Sequence, residues 1–175
     1  MDVEASHPPY GMSPALPAFH RATRIAESLF GGTEASVVLV DGASIWRCGG
    51  SLVGTQTPAT GVRYVIERGK ATWFSQPDTD PDLQARFWAG APVRLADGAT
   101  IGVLTVMGAA ERPYDKALAA RLQDLADSVA DECERARTAA TADQRDRELK
   151  AARKVMASFV RAVPIESVKI GRAHV

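Results

Sequence analysis

By residue type, the side chains able to act as nucleophiles, proton shuttles or soft metal ligands are Cys48, Cys133, His7, His20 and His174. The cysteines form no CxxC pair and no metal-ligand spacing, so they read as two reduced, partly buried thiols. Cys48 as a redox centre needs a lowered pKa and access. Arg47 precedes it, but on a strand adjacent side chains point to opposite faces, so that cation does not activate it. The histidines fall outside the expected core and assemble no zinc or haem site. Asp78, Asp80 and Asp82 alternate in PDTDPD. A calcium loop of the EF-hand kind also needs a glycine and a distal glutamate at set spacing, so this stretch reads as a solvated loop. Gly49-Gly50 opens no lysine-bearing helix, and no serine or cysteine has a histidine placed by a motif. The expectation is a chain with no catalytic residues, no metal and no evident cofactor.

Binding chemistry is the other possibility. Trp46, Cys48, Trp73, Phe87 and Trp88 fall on candidate strands, with Arg94 and Thr105 as polar handles. Read functionally, they line a small-molecule pocket. Read structurally, aromatics on strands simply pack in the core.

These residues need elements to position them. Residues 1–17 hold four prolines and no period, which predicts a disordered or loosely docked tail. Helical spacing from Ala18 to Phe30 ends at Gly31-Gly32. Ala35–Val40 and Ser44–Leu52 flank Asp41-Gly42 as a hairpin. Residues 60–70 suit a short helix, 71–76 a strand, and 77–86 a polar loop. In FWAGAPVRLADGATIGVLTVM (87–107), Asp97-Gly98 joins two apolar strands, and both turn positions tolerate positive φ. Phe87, Ala89, Ala91, Val93 and Leu95 share one face of the first strand. Trp88, Pro92 and Arg94 share the other. The second strand is apolar on both faces, so something must cover each side. A long helix begins near Asp115, an acceptable N-cap, and meets no breaker before Pro164. The order predicts an α+β domain around an antiparallel sheet with helices on both faces.

The chain has 175 residues, 46% of them hydrophobic, enough for one core and an appendage. Lysine plus arginine balance aspartate plus glutamate at 21 each. That leaves no electrostatic footprint for nucleic acid or an anionic membrane, and neither is expected as a partner. No apolar run is long enough to span a bilayer, and the start lacks a signal-peptide pattern, so a cytoplasmic location is expected.

Residues 86–108 (RFWAGAPVRLADGATIGVLTVMG), followed by RPYDKALAARLQDLADSVADECERAR (112–137), resemble the GAF domain, a small-molecule-sensing module of signalling proteins. The shared features are an aromatic-aromatic-Ala-Gly-x-Pro strand, a turn, an Ile-Gly-x-Leu strand and a helix with spaced leucines. Upstream, GVRYVIERGKATWFSQPDTDPDL (61–83) is similar to the family's short helix, strand and aspartate-bearing loop. The resemblance spans about residues 18–137. It implies a sheet with one face on the terminal helices and the other flooring a ligand pocket. Residues 77–86 look short for a pocket roof. The chain has no asparagine, which the cyclic-nucleotide-binding signature contains, and lacks the Asp-Ile-Pro motif of phytochromes. Neither cysteine sits in the context used by the free-methionine sulfoxide reductase branch.

On the long helix, Leu118, Leu122, Leu125 and Val129 step by four and three, an a/d seam continued weakly by Cys133, Ala136 and Ala140. A second seam at Leu149, Ala152, Met156, Phe159 and Val163 does not extend the first, a discontinuity of the stutter kind. Residues 138–163 are therefore expected as a coiled-coil linker in a parallel homodimer. ASFVRAVPIESV (157–168) resembles the start of a PAS domain. IGRAHV (170–175) resembles the translation of a sequencing-library adaptor, so residues 164–175 are expected to be a truncated start of a following domain. The resemblance implies a sensor or dimerisation module of a signalling protein, with a missing histidine kinase or diguanylate cyclase output. The alternatives are a redox sensor or reductase using Cys48, and a ligand-free structural dimer module.

Overall fold

The computed structural model describes residues 8–42, 44–50, 59–75 and 85–163. Two short 3-10 turns at Pro9–Gly11 and Ser13–Ala15 lead into α1 (Leu16–Phe30). Then come β1 (Glu34–Asp41), β2 (Ser44–Cys48), α2 (Ala59–Arg68), β3 (Thr72–Ser75), β4 (Phe87–Arg94), β5 (Thr100–Gly108) and α3 (Lys116–Ala162). The chain divides into two units, Met1–Thr138 and Ala139–Val175.

All five strands pair antiparallel in the order β2-β1-β5-β4-β3. One face packs on α1 and on the first turns of α3. Its core contains Phe19, Ala26, Phe30, Val37, Leu39, Phe87, Val93, Leu104, Leu122 and Val129. The other face carries Val38, Trp88, Val103 and Met107 against Val62 and Val65 of α2. The hairpin strands are thus apolar on both sides because α1 and α3 cover one side and α2 the other. The face split expected for Phe87–Leu95 is the one observed.

Local chemistry sets the ends of the elements. Gly31 (φ 57°) stops α1 with its N–H on Glu27 O at 2.9 Å, and Gly69 (φ 60°) stops α2. Asp115 caps α3: its Oδ1 accepts from Ala117 N at 2.8 Å and Leu118 N at 3.1 Å.

Several expectations need correction. The tail expected over residues 1–17 is packed from Pro8 onward. Met12 and Ala15 are in the core, and the Tyr10 hydroxyl donates to Val40 O at 2.9 Å. Apolar side chains with somewhere to go dock a proline-rich segment despite its lack of period. The β4–β5 connection is the three-residue loop Ala96–Gly98, with Leu95 N on Ala99 O and Gly98 N on Leu95 O, each at 2.9 Å. Only Gly98 takes positive φ, at 87°. That is the three-residue form of hairpin, in which glycine alone supplies the left-handed position. Strand β2 ends at Cys48 rather than Leu52, because Gly49 (φ 99°) and Gly50 (φ 85°) turn the chain away. Residues 51–58, the aspartate loop at 78–82, and 164–175 lie outside the described residues.

Candidate functional site

Strand alternation distributes the predicted pocket residues over both faces of the sheet. Trp46, Cys48, Trp73 and Phe87 lie on the α1/α3 side, in or against its core. There Trp73 and Phe87 meet at 4.9 Å between ring centroids, and Phe30 packs on both. Trp73 donates its indole N–H to Arg112 O at 2.9 Å. These aromatics are core. Trp88 and Thr105 lie on the α2 side. Arg94, at the register shift that ends β4, donates to Gly69 O and so caps the C-terminal end of α2. The seven residues therefore do not converge on one cavity.

The α2 side carries a polar strip that sequence reading missed. Ser36 and Thr105 are cross-strand partners, each 1% exposed. Thr105 Oγ1 donates to Ser36 O at 3.1 Å. The two hydroxyl oxygens are 2.8 Å apart, so the Ser36 hydroxyl is left to donate to Thr105 Oγ1. Arg47 Nε completes the relay by donating to Ser36 Oγ at 3.1 Å. Burial pushes the Arg47 pKa down, and the neighbouring charge of Glu34 pulls it back up. Ser36 was legible as the one polar residue within Ala35–Val40. Its pairing with Thr105, 69 residues away, was not.

Beside the strip, Trp88 lies across Gly90, the cross-strand partner of Thr105. A Cβ on Gly90 would come within 2.5 Å of the Trp88 ring, and one on Gly61 of α2 within 3.2 Å. Both glycines are needed for the indole to fit. Trp88 is 1% exposed, and its Nε1 has no hydrogen-bond partner among the described residues. A buried, unmade donor of this kind costs about 1–3 kcal/mol and is uncommon in native structures.

Cys48 sits on the opposite face, its sulfur 3.7 Å from His20 Nδ1 and 3.8 Å from Nε2. The sequence offered no such neighbour. Burial nevertheless pushes the Cys48 thiol pKa up, which opposes thiolate chemistry. Cys133, fully buried on α3, is pushed up to about 12, chiefly by burial and then by Glu134 and Glu132. Among the described residues no group of three or more His, Cys, Asp or Glu is placed to hold a metal. No helix among them is long and apolar enough to cross a membrane.

The thiols yield a pH prediction. A folded-state pKa above the unfolded value of about 8.5 means full stability below that pH. Above it the unfolded chain releases the Cys133 proton first, and stability falls by about 1.4 kcal/mol per pH unit until about pH 12. Denaturant midpoints measured from pH 8 to 11 should show this fall, and Cys133→Ala should remove that part of it. An identical pH slope in the variant would contradict it.

No protein-family model and no curated protein matches the chain. Solved structures do. The GAF domain/HD domain protein from Geobacter sulfurreducens is similar at 11% identity and TM-score 0.55, over 75% of this chain and 99% of that one. The cyanobacteriochrome TePixJ GAF domain is similar at 12% identity and TM-score 0.55, over 77% and 98%. The free methionine-R-sulfoxide reductase from Neisseria meningitidis, solved with its substrate, is similar at 22% identity and TM-score 0.57, over 71% and 81%. The sheet order, the helices on both faces and these neighbours agree: this chain has the GAF fold.

Proposed function

We propose that this chain is a non-catalytic sensory module whose small-molecule ligand docks on the α2-facing side of the sheet. The observation that carries the reading is Trp88 Nε1, a buried donor that has no acceptor among the described residues and lies beside the Arg47–Ser36–Thr105 relay. A ligand carbonyl or carboxylate accepting from that indole would remove its desolvation cost. The GAF domain of a sensor histidine kinase from Pseudomonas syringae pv. tomato, also a structural neighbour, supports the same reading. The signal would leave through α3, whose residues 149–163 expose Leu149, Met156, Phe159 and Val160. We propose that this face pairs with a second copy of the chain, ahead of an output domain of the histidine kinase or cyclase kind.

The test is native mass spectrometry of the purified chain before and after denaturation, followed by thermal shift with a metabolite panel. A retained mass, or a metabolite that raises the melting temperature of the wild type and not of Trp88→Phe, is the expected result. No bound mass and no shift would overturn the ligand reading and leave a structural dimer module.

A reductase or redox sensor built on Cys48 is the second reading, favoured by the His20 contact and by the reductase neighbour. It predicts that peroxide oxidises Cys48 in the folded chain and that His20→Gln slows this. Mass spectrometry showing unmodified Cys48 would remove it.

A further inference from the structure

The sheet edge where β4 runs on past β3 holds a cleft that the ligand reading above does not use. β3 pairs with residues 87–90 of β4, so residues 91–94 have no outer strand among the described residues. Lys70, Pro92, Arg94, Gln123 and Asp127 line a cleft of about 390 Å³ there, between the end of α2, β4 and α3. That size lies within the range of small-molecule sites. Pro92 has no N–H, and its carbonyl already accepts from Gln123 Nε2 at 3.3 Å. An added peptide strand would meet neither a donor nor an open acceptor at Pro92, which favours a small molecule as the occupant.

The charges of the cleft select a head group. Lys70 and Arg94 make no ion pair among the described residues. Arg94 gives one N–H to Gly69 O, and a guanidinium has five. Asp127 is the acid in the lining, and its Oδ1 accepts from Gln123 Nε2 at 2.8 Å. Two cations and one carboxylate leave a single positive charge, which suits a monoanion better than a phosphate dianion. A guanidinium fork also matches a planar carboxylate. Ala71 joins the cleft to a smaller cavity of about 40 Å³, walled by Trp73, Tyr114, Ala119 and Leu122. Trp73 and Tyr114 stand edge to face there, with 5.6 Å between centroids. This apolar slot has room for a short alkyl tail. We propose that the cleft binds a small aliphatic monocarboxylate, its head between Arg94 and Lys70 and its tail in the slot against Trp73. Neither Trp88 nor the Arg47–Ser36–Thr105 relay lines it, so it is a second site, independent of the first.

Titration of the isotope-labelled full chain with butyrate, followed by amide NMR, tests this. Butyrate should shift Lys70, Ala71, Trp73 and the Gln123 side-chain amide. Acetate, shorter by two methylenes, should bind about tenfold more weakly. Lys70→Gln, an exposed change that leaves the fold intact, should weaken butyrate about threefold. Ala119→Leu, which fills the slot, should bring butyrate down to the affinity of acetate. Equal binding of acetate and butyrate to the wild type would overturn the slot. Inorganic phosphate shifting the same amides as strongly as butyrate would overturn the carboxylate head. Butyrate shifts confined to Trp88 and Gly61 would overturn this site and support the ligand reading on the α2 face. No shift at high millimolar butyrate would overturn the site and leave that reading standing.

Discussion

Gly102→Ala is expected to destabilise the sheet domain by about 3 kcal/mol or more, at the upper end of what overpacking a core costs. The φ of Gly102 is ordinary, so the effect is purely one of space. An added Cβ would press on the carbonyl oxygen of Val38 closer than real atoms approach, and would meet Leu39 Cδ2 at 2.9 Å and Leu39 Cα at 3.2 Å. Val38 and Leu39 belong to β1, and Leu39 is the cross-strand partner of Gly102. Side chains can rotate away, but a backbone oxygen can yield only by opening the β1–β5 ladder at the middle of the sheet. Thermal melting followed by circular dichroism should fall by about 10 °C. Gly98→Ala is the comparison. It has positive φ but nothing within 4 Å, so only the backbone cost of about 1–2 kcal/mol applies. Equal melting of Gly102→Ala and wild type would contradict the close β1–β5 approach.

Leu122→Ala should cost about 2–5 kcal/mol, while Leu149→Ala on the same helix should change domain stability by less than about 0.5 kcal/mol. Both leucines occupy seams that look alike in the sequence. Leu122 is 1% exposed and lies in the core that also holds Phe30, Leu104 and Val129, so truncation leaves a cavity. Leu149 is 58% exposed and leaves none. Denaturant midpoints of the two variants test this directly. Similar losses in both would mean that the second seam is buried within a single copy. In the dimer reading, Leu149→Ala acts on association instead.

These contrasts mark how far the sequence could be read. The hairpin faces followed from period-two alternation, since one residue of slip would have moved every side chain to the wrong side. The start of α3 followed from Asp115, and the end of α1 from Gly31-Gly32, because caps and left-handed positions are local. The docking of Met12 and Ala15 was not legible, because the segment has no period and only the finished core gives it a surface. The spacing of Leu118, Leu122, Leu125 and Val129 marks an apolar face of α3 that suits both a partner helix and the sheet of its own domain. The structure commits Leu122 and Val129 to the core of their own domain, with Leu118 and Leu125 packed against it. Spacing shows that a helix face is apolar; it does not show what covers it.

The candidate site follows the same division. Trp88 and Thr105 could be singled out by type, since an aromatic and a hydroxyl stand out among aliphatic strand residues. By itself the sequence determined the elements, their order and the two apolar faces of the central hairpin, because those depend on periodicity and on residues near in the chain. Only the tertiary structure decided that Trp46, Cys48, Trp73 and Phe87 lie on the opposite side of the sheet from Trp88 and Thr105. It alone brought Ser36 and Arg47 to Thr105 and left the Trp88 N–H without an acceptor among the described residues. Those facts depend on strand order and register between segments up to 69 residues apart, and are settled by packing across the whole sheet rather than by local propensity.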